Sequence, residues 1–405
     1  MKIVIVNQPT NNRGDESAHK ALVRRIISDI AEAEVEVIFI GRTEEQMRSI
    51  RVTSGRVRYT NIRNWYHWYG LTEMQKRGRY GVTFIHPTTL SLLWHMMRAD
   101  IVVCAPGGIN MGGFQSWYHV YTMRLAATLG KKIIYWGRSI GPFPEETADN
   151  RTFKALCMHL FERFGLITLR DGKSMELANR LGIKASATLD SAYLYPHQGG
   201  VPAEIATRLG REYIIFVPNS LTWHYAYRGV AQERIDGMWI EVMRKIRATH
   251  PGQKIAMLPQ TFGGSDGRDG EPYFRRLAEK SGLEEIYVMP EGYDSDVQQA
   301  VIEGAGLVIG ARYHSIVFAV NTGVPFVSLS YEHKMSGMLD AIGASAYMVD
   351  IQKAFENEET CNMATEHIGE KIEHEMGKRE SERLSEVAKA KTAESFEKFK
   401  KYVEA

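Results

Sequence analysis

Short apolar runs, each followed by an amphipathic segment, recur along the chain and then recur again. This alternation constrains the fold more than any other feature of the sequence. The runs in the first half are KIVIVN (2–7), EVEVIFI (34–40), DIVVCAP (100–106), KIIYWG (132–137) and LITLRD (166–171). They are almost continuously apolar, as strands buried on both faces must be. Between the first two, Ala18, Leu22, Ile26 and Ile30 repeat at helical spacing. Strands alternating with helices predict parallel βαβ units wound into an α/β sheet.

The pattern restarts with YIIFVPN (213–219), a helix around Met238–Thr249, then KIAMLPQ (254–260), EIYVMP (285–290), LVIGAR (307–312) and VPFVSLS (324–330). Between the two halves, PHQGGVPAE (196–204) has no periodicity and reads as a linker. The expected organisation is two Rossmann-like, doubly wound domains facing a cleft, over residues 1–198 and 205–350. A helical tail is expected over 360–405, where Ile368, Ile372, Leu384, Phe396, Phe399 and Val403 fall on one apolar stripe, with a break near Gly377. Ligands of open α/β sheets bind beyond the carboxyl ends of the strands. The polar residues at those ends are therefore the candidates for function.

Composition narrows the classes. Apolar content of 44% and charged content of 24% are those of a globular protein. Cys104, Cys157 and Cys361 are far apart and form no CxxC pair, which predicts a reducing compartment and no cysteine metal site. The apolar run near the start is too short for a signal peptide, and nothing approaches the roughly 18 apolar residues of a membrane span. A cytoplasmic protein is expected, working at the inner face of the membrane if its substrate is held there. The net charge is +2, but basic residues crowd into 51–98, where Arg77, Arg79 and Arg98 are among eight Lys/Arg set against Glu73 alone. Aromatics interleave them in NWYHWYG and RGRYGVTF. Such a patch suits an anionic partner, either lipid head groups met by Trp65, Tyr66, Trp68 and Tyr69 or the sugar or phosphate of a substrate. A loop-rich insertion with ordinary surface arginines is the plainer alternative. The charge is too local for nucleic acid.

The strand ends carry the candidate chemistry. After the first strand, NNRGDESA places Asn12, Asp15 and Glu16 at the start of a helix. They are read either as helix caps or as groups that orient and deprotonate an acceptor hydroxyl. After DIVVCAP, the glycines of GGINMGGF, Gly107 and Gly108 first, would let a ligand approach the backbone closely. This is neither the dinucleotide fingerprint nor a Walker loop. Arg138 with Ser139 follows KIIYWG, and Arg170 ends LITLRD. Two arginines at one sheet mouth predict an anion site, unless each is neutralised by a nearby acid such as Asp171. In the second half, Arg312 and His314 occupy one strand-to-helix turn and Lys334 follows the next strand. They combine fixed cations with an imidazole, a group that ordinarily titrates near neutrality. That suits an anionic substrate whose reaction needs a proton moved.

The stretch GARYHSIVFAVNTGVPFVSLSYEHKMSGML resembles the C-terminal signature of the polysaccharide pyruvyltransferase family: R-x-H, then G-x-P, then Y-x-x-K. Arg312 and His314, Gly323 and Pro325, and Tyr331 and Lys334 supply those positions. NNRGDESA, GRSIGPF, TLRDGKSMELANRLGI and TLDSAY resemble further family segments in the same order, so the likeness runs over roughly residues 1–345. One departure is Gln115, which stands where many relatives carry an acid. The resemblance implies a GT-B-like fold. It also implies transfer of the enolpyruvyl carbons of phosphoenolpyruvate to a sugar of a cell-surface polysaccharide or its lipid-linked precursor, as a pyruvate ketal, with release of phosphate. His314 would then be the general acid/base, and Arg170, Arg312 and Lys334 would hold carboxylate and phosphate. Asp15 or Glu16 would act on the acceptor from the N-terminal domain. No cofactor or metal is expected, because the cations are side chains.

Two other classes compete. A GT-B nucleotide-sugar glycosyltransferase would read the donor ribose with a carboxylate of the second domain, Glu303 or Asp296. A sugar- or nucleic-acid-binding module would use the basic aromatic patch and would not need Arg312, His314 and Lys334 at strand ends.

Overall fold

The computed structural model describes residues 1–63, 68–262, 270–374 and 376–405. Trp65 and Tyr66 lie outside the described residues, as do the side chains of Trp68 and Tyr69. The chain forms two compact units. The first comprises residues 1–10, 18–195 and 391–405, and the second 11–17 and 196–390. The division is not the run of contiguous spans expected. Residues 11–17 pack with the second unit because Arg13 N donates to Gln260 O at 2.9 Å and Phe262 N to Asn11 O at 3.3 Å. The end of the tail packs with the first unit because Phe396 and Phe399 stand edge-on to Trp136, with ring centroids 6.2 and 5.2 Å away.

The first unit holds strands β1 (Lys2–Val6), β2 (Glu34–Ile40), β3 (Val57–Ile62), β4 (Ile101–Cys104), β5 (Gly107–Gly112), β6 (Lys132–Gly141), β7 (Leu166–Leu169) and β8 (Ser186–Ala187). All pairings are parallel, in the order β3-β2-β1-β4-β6-β7-β8, with β5 beside the end of β6. The second unit holds β9 (Tyr213–Val217), β10 (Lys254–Met257), β11 (Ile286–Val288), β12 (Leu307–Gly310), β13 (Phe326–Ser330) and β14 (Met348–Asp350). They are parallel in the order β11-β10-β9-β12-β13-β14. Both units are doubly wound α/β sheets, in line with the alternating pattern of the sequence. The direction of winding reverses between β1 and β4 in the first sheet and between β9 and β12 in the second. Those reversals are where such sheets take ligands.

The Gly-rich segment after β4 is a strand, not an open loop. Gly107 pairs with Arg138 and Gly112 with Gly141. Gly112 has φ near 152°, and a Cβ there would overlap the backbone of Gly141. The glycine permits close approach of two chains of the protein itself. The tail is two helices, Glu358–Glu373 and Lys378–Glu404. No helix among the described residues is long and apolar enough to cross a membrane.

Burial sets a pH dependence. His19 is enclosed, and burial, aided by the charges of Lys20 and Arg24, lowers its pKa to about 3. Burial and Arg138 likewise hold His119 well below its ordinary range. Both stay neutral in the fold and take up protons on unfolding once pH drops below about 6.5. These two groups therefore leave stability unchanged above that pH and lower it below, by up to about 1.4 kcal/mol per pH unit each. Urea midpoints at pH 7 and pH 5 measure this, and a His119→Gln variant should show the smaller drop.

Candidate active site

The second unit gathers six of the predicted residues at the carboxyl edge of its sheet. β12 ends at Gly310, where a Cβ would overlap the Ser315 side chain. The chain turns at once: Ala311 N donates to Val217 O at 2.8 Å, and Asn219 Nδ2 donates to Ala311 O at 3.2 Å. These bonds tie the ends of β9 and β12 together at the reversal. Arg312 is extended and precedes the helix Tyr313–Thr322, and its side chain does not cap that helix. The helix dipole therefore adds to the guanidinium in favouring an anion here.

His314 is in the first turn of that helix and is only 8% exposed. Its ring lies edge-on to Tyr313, with centroids 5.0 Å apart. On another side it rests directly against the backbone of Gly14, where a Cβ would overlap the imidazole ring. Gly14 belongs to the first turn of the helix Arg13–Asp29. His314 and the turn that carries Asp15 are therefore neighbours within the second unit, although 300 positions separate Gly14 from His314. Gly14→Ala should displace the imidazole. Activity should fall by at least about tenfold, with a lower thermal midpoint, because a methyl group has no space to occupy. Parallel activity and thermal-melting assays check it.

Three residues of the 12–16 segment divide the work in a way the sequence does not show. Asn12 Oδ1 accepts from Gly14 N at 2.7 Å, so Asn12 is a helix cap. Glu16 is fully buried. It takes Arg13 Nη1 at 2.6 Å and Ser295 N at 2.7 Å. A carboxylate so enclosed by donors is a structural anchor, not the base expected at the acceptor. Arg13 is the missed partner: it also donates to Glu291 O at 2.6 Å and lies 4.0 Å from the Phe262 ring centre. Asp15 is half-buried and is the carboxylate of this segment that retains exposure.

Lys334 is half-buried, in the first turn of the helix His333–Ile342, with Nζ 3.7 Å from the Glu332 carboxylate. Beside it stands His224, which sequence reasoning missed. Burial lowers its pKa, Glu332 raises it and Lys334 lowers it again, which places both charges around the imidazole. Tyr331 closes the cluster, its ring centre 5.8 Å from that of His224 and 6.1 Å from that of Trp223. Asn219 Oδ1 accepts from Trp223 Nε1 at 3.0 Å and from Leu221 N at 3.1 Å, and Leu221 has φ of 59°. The signal lay in position: NSLTWH follows β9, the strand that borders β12.

The remaining candidates lie in the first unit and differ from expectation. Arg138 is inside β6, which continues four residues past the predicted end, and it is fully buried. Its guanidinium donates to the carbonyls of Ala105 and Gly108. It braces the β4–β5 connection and is not an open cation at a strand end. Cys104 lies under it, its thiol pushed up to about 11 by burial and 3.2 Å from His119 Nε2. Arg170 is buried against Asp190, Nη1 to Oδ2 at 2.6 Å. Asp171, the acid weighed for it, instead caps the helix Gly172–Arg180 through Ser174 N at 2.8 Å. Ser139 is fully buried in β6, Gly107 is buried, and Gly108 is half-buried. Asp296 accepts from Gln198 N at 3.1 Å and Glu303 lies 3.3 Å from His197, so both carboxylates offered for a nucleotide ribose have local partners. Among the described residues no cluster of three or more His, Cys, Asp or Glu is placed to hold a metal ion.

Residues 12–333 match the family model described as polysaccharide pyruvyl transferase. The chain belongs to that family. The matched stretch contains Asp15, Arg312 and His314 and ends one residue before Lys334. A curated relative of this polysaccharide pyruvyl transferase family member is the amylovoran biosynthesis protein AmsJ of Erwinia amylovora, 26% identical over 242 residues. The match spans 56% of this chain and 56% of AmsJ, about half the length of each. Among solved structures, the chain is similar to a putative UDP-N-acetylglucosamine 2-epimerase from Listeria monocytogenes, with TM-score 0.58, 14% identity and coverage of 96% and 92%. It is also similar to S. aureus MnaA with UDP, with TM-score 0.57, 11% identity and coverage of 96% and 92%. TcCGT1 in complex with UDP gives TM-score 0.58 at 11% identity, covering 99% of each chain. At these identities the likeness is one of fold, two Rossmann-like units of the GT-B-like class.

Proposed function

We propose that the protein transfers the enolpyruvyl carbons of phosphoenolpyruvate to two hydroxyls of a sugar in a polysaccharide or its lipid-linked precursor. The observation that carries this reading is the seat of His314. The imidazole is held against Gly14, two positions after Arg312 and in the first turn of a helix that the Arg312 side chain does not cap. Phosphoenolpyruvate carries a carboxylate and a phosphate. Arg312 and Lys334 supply charge-assisted contacts for them, and the helix start adds its dipole.

His314 gives a proton to the methylene carbon, so that the adjacent carbon becomes electrophilic. One sugar hydroxyl bonds to that carbon and loses its proton. The carbon–oxygen bond to phosphate then breaks, and phosphate leaves with both bonding electrons. The second hydroxyl bonds to the same carbon and closes the ketal. Of the two hydroxyl protons, one replaces that given to the new methyl group and one leaves with phosphate. Asp15, in the turn beside His314, is the carboxylate assigned to a hydroxyl proton. Because its turn packs with the second unit, the acceptor's base belongs to that unit and not to the N-terminal domain.

Incubation with phosphoenolpyruvate and a panel of model glycosides tests the proposal. Phosphate release that depends on a glycoside, with a product mass matching a pyruvate ketal, is the expected result. Release of a nucleotide from a sugar nucleotide, with phosphoenolpyruvate untouched, would overturn it.

A further inference from the structure

The basic segment of the first unit carries an apolar surface that neither sheet uses. The helix Pro87–Met97 buries Leu92, Leu93, His95 and Met96. Its opposite side exposes Leu90, Trp94 and Met97 by 52%, 47% and 55%. Their spacing of four and three puts them on one stripe. The preceding turn Tyr80–Ile85 packs against this helix and exposes Val82 by 54% and Ile85 by 79%. In a 3₁₀ turn residues three apart are eclipsed, so Val82 and Ile85 also point the same way. Isolated exposed apolar residues are ordinary; five of them on two adjoining elements make a patch.

The charges of this segment are predominantly basic. Arg77, Arg79 and Arg98 are exposed. The Arg98 guanidinium lies over the Trp94 indole, 4.6 Å from the ring centre. From residue 68 to 98 the sequence has one carboxylate, Glu73, and it is paired with Lys76 at 2.7 Å. We infer that this face docks on an anionic lipid surface. The aliphatic side chains and Trp94 would enter the head-group boundary, and the arginines would meet lipid phosphates. Charge complementarity selects anionic lipid. Side chains as exposed as Ile85 stand out from the protein, and a fluid bilayer accepts protruding groups without a matching pocket. The aromatics of the 64–67 stretch take no part in the inference. It also stands apart from the proposed chemistry, since it rests on a surface and not on the site.

Flotation of the full chain with vesicles tests it, using phosphatidylcholine alone and an equimolar mixture with phosphatidylglycerol. Binding to the mixture at low salt, and none to phosphatidylcholine alone, is expected. Each arginine is worth about fivefold in partitioning, so Arg77→Glu/Arg79→Glu/Arg98→Glu should lower binding by about a hundredfold or more. Leu90→Gln/Trp94→Gln/Met97→Gln keeps the charges and the helix propensity, and should lower binding at least about tenfold. If that triple variant fails to fold by circular dichroism, Ile85→Ser alone serves in its place. Absence of flotation with the mixture would overturn the inference. So would loss in the arginine variant alone, which is mere charge adhesion. A dimer that dissociates on Trp94→Gln, in a chain that does not float, would assign the face to a second copy and overturn it equally. An active enzyme that fails to float separates this failure from any failure of the proposed reaction.

Discussion

His314→Ala should lose about 10²–10⁴-fold in turnover while still binding phosphoenolpyruvate, because a positioned proton-transfer group contributes that much to rate. Arg312→Ala should do the reverse, raising KM for the donor more than it lowers kcat, since a charge-assisted contact holds ground state and transition state alike. The two residues sit two positions apart at one turn. A general loss of local structure would therefore affect both parameters in both variants. Donor affinity measured by calorimetry on the inactive His314→Ala protein makes the separation clean. Near-normal turnover in that variant would remove the imidazole from the mechanism.

Asp190→Ala should strongly destabilise the first unit. Asp190 is fully buried and holds the guanidinium of Arg170 at 2.6 Å, and its other oxygen caps Ala192 N at 3.1 Å. Removing one partner of a buried pair leaves an uncompensated charge and costs about 3–5 kcal/mol. That is a large part of the roughly 5–15 kcal/mol that keeps a domain folded. The urea midpoint should shift accordingly. Arg170→Met/Asp190→Leu should recover much of the loss, because replacing both partners with apolar groups leaves no orphaned charge. An Asp190→Ala protein as stable as the parent would make Arg170 a cation open to substrate after all.

The inner strands of both sheets were legible because burial on both faces forces continuous apolar runs, whereas β3, β5, β8 and β14, which lie at sheet edges or off the main path and are only partly buried, carry no such run and were missed. The turn carrying Arg312 and His314 was legible for a related reason: polar residues directly after such a run must lie at a sheet edge. What the sequence hid was pairing. Nothing near Arg170 in the chain identifies Asp190, twenty residues on, in preference to Asp171 next door. Arg138 looked like a strand-end cation because β6 was expected to stop at Gly137, yet pairing with β5 carries it on to Gly141. The glycines of β5 looked like room for a ligand, and they are room for a neighbouring strand. Glu16 and Asp15 are adjacent in sequence but fall on different sides of a helix, one enclosed by donors and one left partly open. His224 was missed because strand order, not residue type, makes the end of β9 a neighbour of β12.

The chain passes from one unit to the other four times, since residues 11–17 leave the first unit and residues 391–405 return to it. No single cut can therefore liberate either half. A fragment ending at Tyr195 would expose the face of Trp136 that Phe396 and Phe399 cover, and would strip Arg13 and Glu16 of Gln260, Glu291 and Ser295. The complementary fragment would present His314 without the glycine backbone it rests on. Swapping halves between members of the family would fail for the same reason unless both short segments travelled with their adopted unit. A working exchange needs four junctions, placed at the boundaries of residues 11–17, at 195–196 and at 390–391.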